Sequence, residues 1–148
     1  MAWLGARHAA TVAVVETGAA LATGAVVPSV VLGGAVAKSA GQLGREGEAL
    51  ASRITGVGKN TESFLVNGRT RIPDQVISQD LLTRNPLHLV EVKNVKSQSL
   101  TRQLRDDIDL VGPGGRVDVM LPSGATASGP LQRAFDNPLN PLNRVDLK

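Results

Sequence analysis

The chain has 148 residues, which is about the length of one domain. It contains no cysteine, so disulfides and thiolate zinc sites are excluded, and only 2% of its residues are aromatic, which argues against a base-stacking surface for single-stranded nucleic acid. A net charge of +3 permits attraction to phosphate but does not by itself require a nucleic-acid partner.

The first 40 residues differ in composition from the rest of the chain. Thr17–Ala37 carries no charge and is rich in Ala, Gly and Val, and its length is close to the roughly 20 residues that a helix needs to cross a bilayer. We interpret residues 1–40 as an apolar linker from a larger delivery protein, with a membrane-contacting segment and a part of the core as the alternatives. The second domain is then expected at residues 41–148.

The first helix is predicted from its caps and its apolar spacing. Ser39 is a suitable N-cap, and Gly56 is a suitable C-terminal residue in the left-handed conformation. Leu43, Leu50 and Ile54 fall on one face at helical spacing, so this face is expected to contact the core.

A hairpin is predicted next. The strand 62–66 is followed by Asn67 and Gly68, which form the strongest two-residue hairpin signal, and then by a return strand at 69–77. Pro73 lies inside the return strand, so we expect a sheet edge or a local bend there, which would redirect the acid that follows it.

The strand predicted at Leu87–Val95 is apolar but contains an acid and a base. Glu91 and Lys93 point to the same face because side chains alternate along a strand. A charge within an apolar strand needs a partner or a metal, and Asp74 is a second acid on the preceding extended run. These three groups suit a site for a hard cation, although Glu91 and Lys93 could equally form a structural ion pair. His88 points to the opposite face and is expected to be a packed or surface residue.

A second helix follows, with Ser97 or Ser99 as its expected cap. Gly112 and Pro113 end it, and Gln103 lies beside its apolar stripe, one turn from the end of the strand that carries Glu91. The stripe consists of Leu100, Leu104, Ile108 and Val111.

The rest of the chain predicts a strand at Arg116–Leu121, a short helix at Pro130–Phe135 and a final strand at Arg144–Leu147. The resulting order is α-β-β-β-α-β with an extra element at the end. This order belongs to the α/β class, with a mixed sheet flanked by helices.

Three strings of the sequence carry a family resemblance. R-I-P-D ends at Asp74, E-V-K-N-V begins at Glu91 and Q-L-R-D begins at Gln103. Their order and spacing resemble the PD-(D/E)xK restriction-endonuclease-fold toxin domains of bacterial polymorphic toxins, over about Gly44 to Lys148. The resemblance implies a restriction-endonuclease-like core.

The resemblance also implies site residues. The catalytic residues would be Asp74, Glu91, Lys93 and Gln103, with Lys93 orienting a water or neutralising charge and Gln103 positioning the water or the phosphate. The expected cofactor is Mg²⁺, with Mn²⁺ as the alternative. Its ligands would be Asp74, Glu91, the backbone carbonyl of Val92 and an acid of the first helix, Glu48 in preference to Glu46.

The implied function is cleavage of DNA by the toxic end of a secreted effector that acts in the cytoplasm of a rival cell and is blocked by an immunity protein. Lys96, Arg102 and Arg105 are the expected contacts to nucleic acid. Two alternatives stay open: the same fold cutting RNA, and a membrane-active toxin whose residues 17–37 insert in the bilayer.

Overall fold

A computed structural model describes residues 37–148, so the predictions for residues 1–36 lie outside the described part of the chain. Within that part, no helix is both long enough and apolar enough to span a bilayer. The elements are α1 (Ala40–Thr55), β1 (Phe64–Val66), β2 (Arg69–Arg71), β3 (Gln75–Gln79), β4 (Pro86–Val92), β5 (Ser97–Gln98), α2 (Arg102–Val111), β6 (Arg116–Pro122), β7 (Thr126–Ala127), α3 (Gly129–Asp136) and β8 (Leu142–Leu147).

The central sheet has the strand order β3-β4-β6-β8. The pair β3 and β4 is antiparallel, whereas β4 with β6 and β6 with β8 are parallel. One apolar cluster joins Leu89 of β4 to Leu104 of α2 and Leu131 of α3, and another joins Val90 of β4 to Ala51 of α1. The sheet therefore lies between α1 on one face and α2 with α3 on the other, which confirms the predicted mixed sheet flanked by helices.

The predicted hairpin is present, but its return strand is divided in two. Asn67 and Gly68 have φ of 50° and 70°, as a tight hairpin turn requires. After the turn, β2 pairs only with β1, and the chain bends at Pro73 before β3 enters the central sheet. Proline lacks the N–H that a continuous ladder would use, so the break falls where the sequence places it.

The hairpin is fixed to α2 by a buried acid. Asp106 is 1% exposed and accepts hydrogen bonds from the guanidinium groups of both Arg69 and Arg71. These two arginines hold the pKa of Asp106 well below its usual range. Asp109, one turn nearer the end of α2, accepts a further hydrogen bond from Asn67 at 2.7 Å.

α1 begins and ends as predicted, but its buried face is different. Ser39 and Gln42 form a capping box, and Gly56 adopts the left-handed conformation at φ 72°. The prediction that Ile54 contacts the core is wrong, because its side chain is 47% exposed. The buried residues of α1 are the small ones, Gly47 and Ala51, since the helix lies too close to β4 to accommodate a large side chain.

α2 starts later than predicted. Its N-cap is Thr101, whose hydroxyl accepts a hydrogen bond from the Leu104 amide at 3.3 Å. Ser97 is not the cap, because it lies in β5, which pairs in parallel with β7, and Ser99 precedes Thr101 in the connection. The predicted strand at 116–121 and the later short helix and strand are confirmed as β6, α3 and β8.

The close approach of α1 to β4 predicts a difference between two glycines of the same helix. A Cβ on Gly47 would lie 3.1 Å from both Val92 Cγ1 and Asn94 Cβ, whereas a Cβ on Gly44 would meet nothing within 4 Å. We expect Gly47→Val to reduce the free energy of unfolding by about 1–3 kcal/mol through overpacking. Gly44→Val is the matched control and should be neutral or slightly stabilising, because valine is the better helix former. Urea titration would measure both, and equal midpoints would contradict the close approach.

Candidate active site

The candidate site lies at the end of β4, where that strand leaves the sheet. Glu91 is 0% exposed, and one of its oxygens, Oε2, accepts hydrogen bonds from Lys93 Nζ at 2.8 Å and from Gln103 Nε2 at 2.7 Å. Lys93 Nζ also donates to Gln103 Oε1 at 3.2 Å. The acid, the base and the amide thus form a closed triangle in which each side chain contacts the other two.

The positions of these three groups follow from local structure. Glu91 and Lys93 share the face of β4 that carries Leu89, which is the face covered by α2. The Thr101 cap starts α2 two residues before Gln103, so the amide lies in the first turn and reaches back to the strand. The sequence prediction that Gln103 lies near Lys93 and Glu91 agrees with this geometry.

Asp74 joins the site through the backbone of β4. It follows the bend at Pro73, and its Oδ2 accepts a hydrogen bond from the Val92 amide at 2.7 Å. The structure therefore brings Asp74 next to the strand segment that carries Glu91 and Lys93, and the negative charge of Asp74 is one of the influences that raise the pKa of Glu91.

Glu48 reaches the site from the opposite face of the sheet. It lines a narrow cleft together with Asp74 and Val92, and the remaining lining residues are Ser52, Lys59 and Gln75. Both oxygens of Glu48 accept hydrogen bonds from Lys59 Nζ, at 3.1 and 2.9 Å. Glu46, the alternative acid of the helix, is exposed and instead contacts Lys38 at 2.7 Å.

The predicted metal ligands are only partly gathered. Asp74 and Glu48 share the cleft, while Glu91 is buried on the α2 side of β4. Within residues 37–148, no three His, Cys, Asp or Glu side chains are close enough to hold a metal as they stand. One observation still favours a cation: Glu91 Oε1 is buried and has no hydrogen-bond partner among the described residues. A carboxylate oxygen left in this way is a suitable ligand for a hard cation.

The protonation of the pair follows from its burial. Burial raises the pKa of Glu91, and the positive charge of Lys93 opposes this rise. For Lys93, burial is the largest single influence and lowers the pKa, but the charge and hydrogen bond of Glu91, together with the charges of Asp74 and Asp107, raise the pKa overall. The surrounding acids therefore favour the charged form of Lys93.

Asp107 is a buried acid that sequence reasoning missed. It is 0% exposed, and neither of its side-chain oxygens has a hydrogen-bond partner within residues 37–148. Burial, followed by the charge of Glu91, raises its pKa to about 8. Its spacing was the available signal, because Asp107 lies four residues after Gln103 and so shares the helix face that points toward Glu91.

The remaining predicted residues lie outside the triangle. His88 Nε2 lies 2.9 Å from Asp118 Oδ2, so His88 is a packed histidine with its own acidic partner. Lys96, Arg102 and Arg105 are exposed, and none of them forms an ion pair with another side chain of the described residues. They are available to bind an anion, and their role as contacts to nucleic acid stays a prediction.

A mixed sheet between helices, with an acid ahead of one strand and an acid-x-lysine pair on its neighbour, is the arrangement of a restriction endonuclease fold. Residues 44–115 match the family model Restriction endonuclease fold toxin 7. This match suggests a nuclease toxin that acts on nucleic acid after delivery into a target cell and is countered by an immunity partner. No curated protein and no solved structure matches the chain significantly.

The buried acid Asp107 predicts a dependence of stability on pH. Its pKa is raised from an ordinary 3.8 to about 8 on folding, so its contribution to stability is lost as the pH rises from about 4 to about 8. Asp107→Asn removes this pH-dependent loss of stability, because an asparagine side chain does not ionise. In EDTA, we expect the Tm of the variant, measured relative to the unsubstituted protein, to rise by about 10 °C or more between pH 5 and pH 9.

The control for this measurement is Asp109→Asn, which removes one charge from the exposed face of the same helix. Thermal unfolding followed by circular dichroism at the two pH values is sufficient. An equal effect of Asp107→Asn at pH 5 and at pH 9 would contradict the raised pKa.

Proposed function

We propose that this domain is a metal-dependent endonuclease that cleaves DNA, and that it is the toxic C-terminal domain of a secreted effector of bacterial competition. The observation that carries the proposal is the meeting of Asp74, Glu91 and Lys93 at the end of β4, with Glu91 Oε1 buried and without a partner. An ion pair that served only the stability of the sheet would gain nothing from an unpartnered carboxylate oxygen, which costs free energy.

The residues present fit a divalent cation of the Mg²⁺ or Mn²⁺ type. The cleft would supply the carboxylates of Asp74 and Glu48 and the backbone of Val92, and Glu91 would join them through its unpartnered Oε1. Such ions prefer oxygen ligands and keep several waters, so a complete protein cage is not required. When bound, the ion would polarise the scissile phosphate and make a coordinated water more acidic.

The chain's own groups then have distinct tasks. Lys93 places a compact positive charge beside the carboxylates, where it would orient the attacking water or stabilise charge on the phosphorus oxygens. Its side chain is 21% exposed, so it can reach substrate without leaving the triangle entirely. Gln103 holds Lys93 and Glu91 in their mutual geometry through hydrogen bonds at 3.2 and 2.7 Å.

The exposed Lys96, Arg102 and Arg105 extend this positive region toward solvent. We propose that they contact the phosphate backbone, which binds without reading sequence. The same groups would attract the acidic surface of an immunity protein, because a partner that mimics phosphate occupies the site and is steered there by charge. DNA is preferred as the substrate, since nothing around the site suggests recognition of a 2′-hydroxyl.

The proposal is tested by incubating supercoiled plasmid and total RNA with the protein, in Mg²⁺ or in EDTA. We expect plasmid cleavage in Mg²⁺ alone. Degradation of RNA but not of plasmid would show that the domain cleaves RNA instead of DNA. Leakage of dye from lipid vesicles in EDTA, without cleavage of either nucleic acid, would instead favour a membrane-active protein.

Loss of either acid should abolish cleavage. Asp74→Asn keeps a hydrogen-bond acceptor for the Val92 amide, and Glu91→Gln fills the same buried volume. Each variant therefore removes a charged ligand with little change in packing, and we expect a loss of about 10²-fold or more in single-turnover rate. Circular dichroism checks the fold, and full activity of either folded variant at saturating Mg²⁺ would refute the assignment.

Lys93→Arg separates a positioned catalytic lysine from a simple counter-charge. The guanidinium is longer and planar, so it cannot take the place of an ammonium that touches both Glu91 and Gln103. We expect the rate of plasmid cleavage to fall by about 10²-fold or more, while the affinity for metal, measured by titration calorimetry, changes little. Lys38→Arg is a control at an exposed ion pair. If Lys93→Arg cleaves plasmid as fast as the unsubstituted protein, Lys93 serves only as a counter-charge in a structural ion pair.

A further inference from the structure

A second lysine occupies the cleft on the α1 side of the site. Lys59 lies in the connection after α1, and its ammonium contacts both oxygens of Glu48, at 3.1 and 2.9 Å. The same cleft is lined by Asp74. The hydrogen bond and the charge of Glu48, and to a smaller degree the charge of Asp74, raise the pKa of Lys59. Lys59 thus places a cationic group against Glu48, in the cleft that Asp74 also lines.

The connection that carries Lys59 is fixed at both ends. On one side, the Val57 carbonyl accepts a hydrogen bond from Gln75 Nε2 at 2.7 Å. On the other, the Asn60 amide donates to the Asp74 carbonyl at 2.8 Å, and the Asn60 side chain donates to the Pro73 carbonyl at 3.2 Å. Lys59 is thus held beside the acid of the bend by backbone contacts, and its place in the cleft does not depend on the ion pair alone.

Gln75 strengthens this connection. Its side chain is 2% exposed and also contacts α1, through Ser52 Oγ at 3.1 Å and Thr55 Oγ1 at 3.0 Å. One buried amide therefore joins α1, the Lys59 connection and β3. The three elements that supply Glu48, Lys59 and Asp74 are held in a fixed relation to one another.

We propose that Lys59 is a second lysine of the active site, which holds Glu48 in the metal-free protein and exchanges it for a substrate phosphate when a divalent cation binds Glu48. The inference rests on the proposed nuclease function and adds a residue to it. Lys59 is suited to the exchange because its side chain is 61% exposed, so the ammonium can leave Glu48 without unfolding the connection. A released lysine beside a metal site has a phosphate oxygen as its natural partner.

The exchange predicts two effects of opposite sign for Lys59→Gln. Affinity for Mn²⁺ should rise about threefold or more, because the ion no longer competes with the ammonium for Glu48. Affinity for DNA should fall, seen as a higher KM at saturating Mn²⁺ and a salt dependence weaker by about one phosphate contact. A residue with a purely structural role would not move these two quantities in opposite directions.

The chain offers a matched control on the same helix. Lys38 contacts Glu46 at 2.7 Å in an exposed ion pair of the same kind, away from the cleft. Lys38→Gln removes the same charge and should leave both affinities unchanged. A second control combines Glu48→Gln with Lys59→Gln in one chain. When Glu48 is already replaced, Lys59→Gln should no longer raise the affinity for Mn²⁺, because the carboxylate for which the ammonium and the ion compete is absent.

The experiment is titration calorimetry with Mn²⁺ alone on the 148-residue chain and on these variants, followed by cleavage kinetics. Tighter Mn²⁺ binding by Lys59→Gln that disappears in the Glu48→Gln background would support the exchange. Equal affinities, or a gain that persists without Glu48, would overturn it while leaving the proposed nuclease intact. Failure of the unsubstituted protein and of Lys59→Gln alike to bind Mn²⁺ would refute the metal-dependent function and the exchange together.

Discussion

The burial of one carboxylate shapes the whole site. Glu91 has no exposed surface and sits on the central strand β4. A charge in such a place is costly unless it is paired and hydrogen-bonded. The fold provides Lys93 from the residue after this strand and Gln103 from the first turn of α2, and both donate to a single oxygen of Glu91.

The other half of the site depends on a bend. At Pro73 the chain leaves the hairpin and enters the central sheet, which brings Asp74 to the Val92 amide. On the opposite face, α1 approaches β4 so closely that Gly47 lies against Val92. Helix, bend and strand thus converge on the end of β4. Glu48 and Asp74 lie in the cleft on one side of this strand, and Glu91 and Lys93 lie on the other side, against α2.

Much of this arrangement could be predicted from the sequence. The caps of α1 and the Asn67 and Gly68 turn follow from local rules that act over a few residues, whereas the approach of Asp74 to β4 was expected from the family resemblance. Errors arose where distant packing decides the outcome. Ile54 is exposed because α1 turns Gly47, Leu50 and Ala51 toward the sheet, and the spacing of the large apolar residues does not report this orientation. Asp107 was not predicted to be buried because buried positions are recognised from apolar residues, and an acid without a hydrogen-bond partner is not expected among them.

The parallel pairing of β4 with β6 has a consequence for how the chain matures. Every residue assigned to chemistry lies before position 115, where the family match also ends. The strand that carries Glu91 nevertheless needs β6 beside it, and the Lys93 amide donates to the Met120 carbonyl at 2.9 Å. A chain synthesised only as far as α2 would contain every residue assigned to chemistry but would leave the β6 edge of β4 unpaired, which favours association with other chains over a single fold. The assembly of the proposed site therefore waits for β6 to pair with β4.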